Sequence, residues 1–171
     1  MAEARSGDDV VIALLAAHLA ASVLAPLLAR RFGRNAFLVL AAAPGAAAVW
    51  ALWQAPAILG GGAMTESMNW APGLGFRLDL RLDAFGVLMT LLVGGIGALV
   101  FCYSRWYFPD RPDLGRLATQ FVAFAGAMFG VIVADNLIAL YIFWELTSIT
   151  SYLLIGFDDR SAEARAAALR A

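Results

Sequence analysis

Residues 137–156 read LIALYIFWELTSITSYLLIG, twenty consecutive positions with a single ionisable carboxyl, Glu145, near their middle. At 1.5 Å rise per residue, a helix of this length crosses the roughly 30 Å hydrocarbon core of a bilayer. Glu145 lies nine residues after Asn136 and eleven before Gly156, which places it near mid-membrane. A carboxyl group at that depth is costly, and such residues face a bundle interior or a hydrated cavity. Low dielectric favours the neutral acid, whereas a cationic neighbour favours the carboxylate. A group held between these influences can bind and release a proton, so Glu145 is the candidate for proton translocation. The competing reading is a neutral, hydrogen-bonded Glu145 that only fixes helix packing. Tyr141, Ser148 and Tyr152 fall four before, three after and seven after Glu145, on or near one helical face. With Thr147 and Ser151 further round, they are the candidate supporting groups for an inward polar stripe, holding a hydrogen-bonded chain or ordered water.

Four more apolar blocks precede this one, at about 10–29, 37–58, 84–103 and 117–134, each near the roughly 20 residues a membrane helix needs. Only Asp135-Asn136 separates the fourth from the fifth, a polar pair suited to a tight helical hairpin and a cap. Pro44 bends the second block. Gly94, Gly97, Gly126 and Gly130 in the third and fourth are small residues of the kind that let membrane helices approach closely. The stretch 59–83 breaks the pattern. It holds Gly60-Gly61-Gly62 and the alternating segment FRLDLRLD at 76–83, which reads as a long loop with a short strand or extended segment, anchored by Trp70 and Phe76. Asp79 and Asp83 with Arg77 and Arg81 read as an ion-pair network, with a cation-attracting vestibule as the alternative. The fold class is therefore an all-α polytopic membrane protein, five transmembrane helices plus the start of a sixth in the Ser161–Ala171 segment.

Composition points the same way. Of 171 residues, 62% are hydrophobic and 15% charged, with net charge −1, well under the roughly 25% charged residues of soluble domains. Disorder is excluded by the hydrophobicity. One cysteine, Cys102, permits no internal disulfide. All twelve basic residues are arginines, in small groups between the apolar blocks, so no basic nucleic-acid footprint exists. With the N-terminus outside, nine arginines (30, 31, 34, 105, 111, 116, 160, 165, 170) lie on the cytoplasmic side and three (5, 77, 81) outside, which satisfies the positive-inside rule. The acidic 1–9 segment, with basic residues after the first apolar block, argues for a retained helix rather than a signal peptide. His18 in that helix is either a proton relay or a packed neutral imidazole. With no lysine in the chain, an intramembrane basic partner for Glu145 is expected beyond residue 171 or in another subunit.

Two segments, RLDAFGVLMTLLVGGIGALVFCYSRWY at 81–107 and GAMFGVIVADNLIALYIFWELTSITSYLLIGF at 126–157, resemble the N-terminal part of the large A-type component of Mrp-type multisubunit sodium/proton antiporters. They are similar, more distantly, to the L-type antiporter-like subunit of respiratory complex I. The WELTS form at 144–148 resembles the Mrp component more than its complex I counterpart. The resemblance implies a subunit with inverted five-helix repeats, in which the glutamate matching Glu145 belongs to the ion path and pairs with a lysine two helices later. It implies that 1–116 forms peripheral helices and 117–171 opens the first repeat. It further implies no cofactor, protons and Na+ as transported ions, other antiporter subunits and the lipid bilayer as partners, and a multi-pass location in the plasma membrane. The alternatives are a proton-pumping subunit of an NADH:quinone oxidoreductase and a non-transporting assembly subunit.

Overall fold

A computed structural model describes residues 5–6, 9–71, 73, 76–158, 167 and 169. Apart from residues 167 and 169, the segment expected to start a sixth span lies outside the described residues. In chain order the elements are β1 (Arg5–Ser6), α1 (Val10–Phe32), α2 (Ala36–Leu40), α3 (Ala42–Leu59), β2 (Met64–Ala71), β3 (Phe76–Leu82), α4 (Ala84–Tyr107), α5 (Leu114–Val133) and α6 (Leu137–Ile155).

The apolar run Val10–Leu59 is 50 residues long, about 75 Å if straight, more than twice the hydrocarbon thickness. It therefore makes two passes. The reversal falls at Gly33–Asn35, a short 3-10 turn, where Gly33 adopts φ 56° and its N–H donates to the Ala29 carbonyl. Asp110, from the α4–α5 loop, accepts from the Arg34 N–H at 3.1 Å and fixes this reversal. The second pass is interrupted at Ala41. Pro44 has no N–H to donate back to the Leu40 carbonyl, so the helical ladder lapses there. With α4, α5 and α6, the described residues hold the five membrane-length passes read from the sequence.

Helix α5 is the hub. More than half of it is buried, against roughly a tenth of α6, because α1, α4 and α6 all pack on it. Lipid tails are as apolar as leucine, so close packing rather than the hydrophobic effect joins such helices. Small residues supply it. A Cβ on Gly126 would come within 2.7 Å of His18 Cβ, one on Gly94 within 2.7 Å of the Pro44 carbonyl, and one on Gly130 would overlap the Phe143 ring. Ser22 and Thr119 add a reciprocal clasp, each hydroxyl donating to the other's carbonyl, at 3.2 and 3.1 Å. At the arginine-rich end, Phe37, Phe101, Phe108 and Phe121 form an aromatic core with ring centroids 5.9–6.3 Å apart.

The 59–83 segment adds what the helical reading lacked. Instead of a loop with one extended stretch, β2 and β3 form an antiparallel hairpin, Met64 pairing with Leu82 and Met68 with Leu78, and β1 joins β2 in parallel. Leu80 and Leu82 are buried against the helices. The expected ion pairs are present, Arg77–Asp79 at 3.1 Å and Arg81–Asp83 at 3.7 Å. Two helices extend past the apolar blocks, α1 to Phe32 and α4 to Tyr107. Their last turns carry Arg30, Arg31 and Arg105, a charge that suits a helix C-terminus.

Candidate functional site

The helix that carries Glu145 is positioned from its N-terminus. Asn136 caps it, its Oδ1 accepting from the Ala139 N–H at 2.8 Å, while its Nδ2 donates to the Arg77 carbonyl at 2.9 Å and to Asp79 Oδ2 at 3.0 Å. The Asp135 N–H donates to the Asp79 carbonyl at 2.9 Å, and Leu80 bridges Ala134. The turn before α6 is thus bonded to β3. The sequence indicates the cap but not its attachment to the hairpin. We expect Asn136→Ala to cost about 1–2 kcal/mol, a lost cap plus cross-element bonds, read as a lower thermal midpoint of the detergent-solubilised chain.

From this anchor α6 presents one face to α5. Phe143 lies against Gly130, and Ala139 and Thr150 are the buried residues of the helix. Glu145 lies on the opposite side. It is exposed, as are Tyr141, Ser148 and Tyr152, so the expected stripe exists on one face but points away from the described bundle rather than into it. In a bilayer, a carboxylate on such a face needs a protein or hydrated partner. The hydroxyls do not reach Glu145. Thr147 Oγ1 and Ser148 Oγ both donate to the Trp144 carbonyl, at 2.6 and 3.3 Å, satisfying helix backbone rather than forming a relay. Ser151 is half-buried. No described side chain hydrogen-bonds Glu145.

His18 belongs to a different place. It is 2% exposed, stacked on Phe129 at 5.9 Å, in the α1–α5 seam opened by Gly126. Its Nδ1 lies 2.8 Å from the Leu14 carbonyl. A carbonyl only accepts, so Nδ1 carries the proton. The structure does not bring His18 to Glu145, and it fits the packed-imidazole reading. No group of three or more His, Cys, Asp or Glu that could hold a metal ion is gathered among the described residues.

Helix α6, its anchored N-terminus and the Glu145 face lie within residues 134–171, which match the family described as NADH:quinone oxidoreductase/Mrp antiporter, TM. Residues 69–117 match the family of the N-terminus of chain 5 of NADH-ubiquinone oxidoreductase (complex I). The Mrp complex from Dietzia sp. DQ12-45-1b superposes with a TM-score of 0.80 at 32% identity, over 94% of this chain and 17% of that one. Over these segments the chain is similar to Mrp antiporters and to complex I. Curated relatives include the A1 component of the Na(+)/H(+) antiporter of Staphylococcus aureus, 46% identical over 99 residues, and the A/B component of a probable K(+)/H(+) antiporter of Rhizobium meliloti (strain 1021), 43% identical over 110. These alignments cover 58% and 64% of this chain but 12% and 11% of the relatives; the chain spans about a tenth of the length of these curated relatives. His18 falls outside both family segments and Glu145 falls inside one.

Proposed function

We propose that this chain is the part of a multisubunit monovalent cation/proton antiporter, in the plasma membrane, that contributes a mid-membrane proton-binding glutamate. The observation that carries this reading is Glu145, centred in a 19-residue apolar helix on a face that no described residue covers. The fourth and fifth membrane passes, from residue 117, open the first antiporter repeat, and residues 1–116 form the flanking helices. The Tyr141–Glu145–Ser148–Tyr152 face packs on further helices of the assembled antiporter, which supply a basic group. When that group approaches, the carboxylate form of Glu145 is favoured and its proton leaves; when it withdraws, the group is re-protonated. The charge change couples to movement of the cation, Na+ in this reading. No cofactor is needed for this exchange, because the proton gradient supplies the energy.

A proton-pumping role in an NADH:quinone oxidoreductase is the second reading, favoured by the complex I description of the 69–117 match. The curated relatives and the WELTS segment favour antiport. The assembled complex in vesicles distinguishes them. Under an imposed pH gradient with no reductant, Na+ addition should collapse the gradient. Proton movement that requires a quinone and NADH, with no response to Na+ or K+, would overturn the antiporter reading.

A further inference from the structure

Four helices meet around a small cavity in the middle of the bundle. His18 lines it from α1, Ala47 from α3, Thr90 and Gly94 from α4, and Ala125 and Phe129 from α5. The alanines and the glycine are too small to fill the space between the helices. What remains is about 10 Å³, room for one water molecule and for nothing larger. A void with apolar walls stays dry, but two polar groups distinguish this one.

The first is Thr90. It is 1% exposed, and its Oγ1 is buried with no hydrogen-bond partner among the described residues. A threonine within a helix commonly satisfies its hydroxyl on a carbonyl of the preceding turn. Ser104, Thr147, Ser148 and Thr150 all do so here; Thr90 does not. The second group is His18. Its Nδ1–H is used on the Leu14 carbonyl, so Nε2 keeps its lone pair as an acceptor, and no described residue donates to it. An unmade hydrogen bond is expensive in the membrane interior, where no bulk water compensates. A hydroxyl can donate and accept, whereas the imine nitrogen only accepts. One water that donates to His18 Nε2 and accepts from the Thr90 hydroxyl satisfies both, and two polar partners are enough to hold a buried water.

We propose that this cavity is a binding site for a single structural water, which bridges His18 Nε2 and Thr90 Oγ1 and ties α1 to α4. The imidazole is then held at both nitrogens and fixed in its Nδ1–H tautomer. His18 is the one histidine of the chain, so ¹⁵N-histidine labelling reports on this site alone. Solid-state NMR of the full chain in lipid bilayers should place the Nε2 signal at the hydrogen-bonded position, with magnetisation reaching it from water protons. Thr90→Val keeps the side-chain shape but removes the hydroxyl. It should abolish the transfer and return Nε2 to the position of a free imine nitrogen. It should also lower the thermal midpoint by roughly 2–4 °C, the scale of one lost hydrogen bond in a chain of this size. If the added methyl is not accommodated, Thr90→Ala makes the same comparison of the Nε2 signal. His18 also lines a wider apolar groove between α1, α5 and α6. Water reaching it from that groove would leave the Nε2 signal unchanged by loss of the hydroxyl and would overturn the bridged site. A free Nε2 signal without transfer in the parent chain would overturn it too. So would a higher thermal midpoint for Thr90→Val, the result of simply removing an orphaned hydroxyl.

Discussion

Replacing Glu145 by glutamine is expected to abolish cation-driven proton movement in the assembled antiporter, by on the order of a hundredfold or more, the scale on which a missing proton-transfer group is felt. Glutamine keeps the shape of the side chain and its hydrogen-bonding ends but cannot release a proton at any working pH. The substitution should leave the fold alone. Glu145 touches no described side chain by hydrogen bond or ion pair and is exposed, so the stability of the chain should stay within about 0.5 kcal/mol of the parent. This combination separates a transport role from a packing role. A pinning residue would lower stability or assembly together with transport, whereas a proton carrier lowers transport alone. Glu145→Asp, which keeps the acid on a shorter arm, should retain partial activity. Transport by Glu145→Gln within about twofold of the parent, in a complex of normal composition, would end the assignment. Vesicle fluorescence quenching under an imposed pH gradient makes the measurement.

The second large effect concerns the seam that carries this helix. Any side chain at Gly130 overlaps the Phe143 ring, and neither helix can retreat freely, because α5 is also gripped by α1 and α4. Gly130→Ala should therefore cost about 1–3 kcal/mol by overpacking, and Gly130→Leu should displace α6 from α5 altogether. Gly95 is the internal control. A Cβ there meets nothing within 4 Å, so Gly95→Ala should be neutral or gain about 0.5–1 kcal/mol from helix propensity. Phe143→Leu should restore part of the Gly130→Ala loss, a coupling that a double-mutant cycle reads directly. Equal effects at Gly130 and Gly95 would show that backbone freedom, not ring contact, sets the cost.

Much of this architecture was legible because membrane helices are set by length, apolarity and charge position. The five passes, the ion pairs of 77–83 and the Asn136 cap follow from signals a single sequence contains. The direction in which Glu145 points does not. Helix α6 is apolar almost all round, so its pattern does not mark which side meets α5. The packing face is chosen instead by Gly130 and Phe143, a fit visible only in three dimensions. The hairpin was half legible. β3 shows strict alternation, but β2, with the sequence MTESMNWA, mixes polar and apolar residues because one of its polar groups is buried against a helix end. Glu66 is 5% exposed and accepts from the Val11 and Ile12 N–H groups, both at 3.0 Å. Nothing about a glutamate in a loop announces that it serves a helix terminus more than fifty residues away.

That bond is one of three of its kind. Glu66 holds the start of α1, Asp83 caps α4 by accepting from the Gly86 N–H at 2.9 Å, and Asp79 engages the start of α6 through Asn136. Each of the three helices that begins at the hairpin end therefore finds a side chain of the 64–83 segment at its positive terminus. The order of the segments along the chain gives this a temporal meaning. During synthesis, β2 and β3 are made after α1 and before α4, α5 and α6, so the segment that receives α6 precedes it along the chain. The azimuth of Glu145 about its helix axis would then be set as the protein is made, by docking onto a template synthesised two passes earlier, rather than being sought afterwards among rotations of a nearly uniform apolar cylinder.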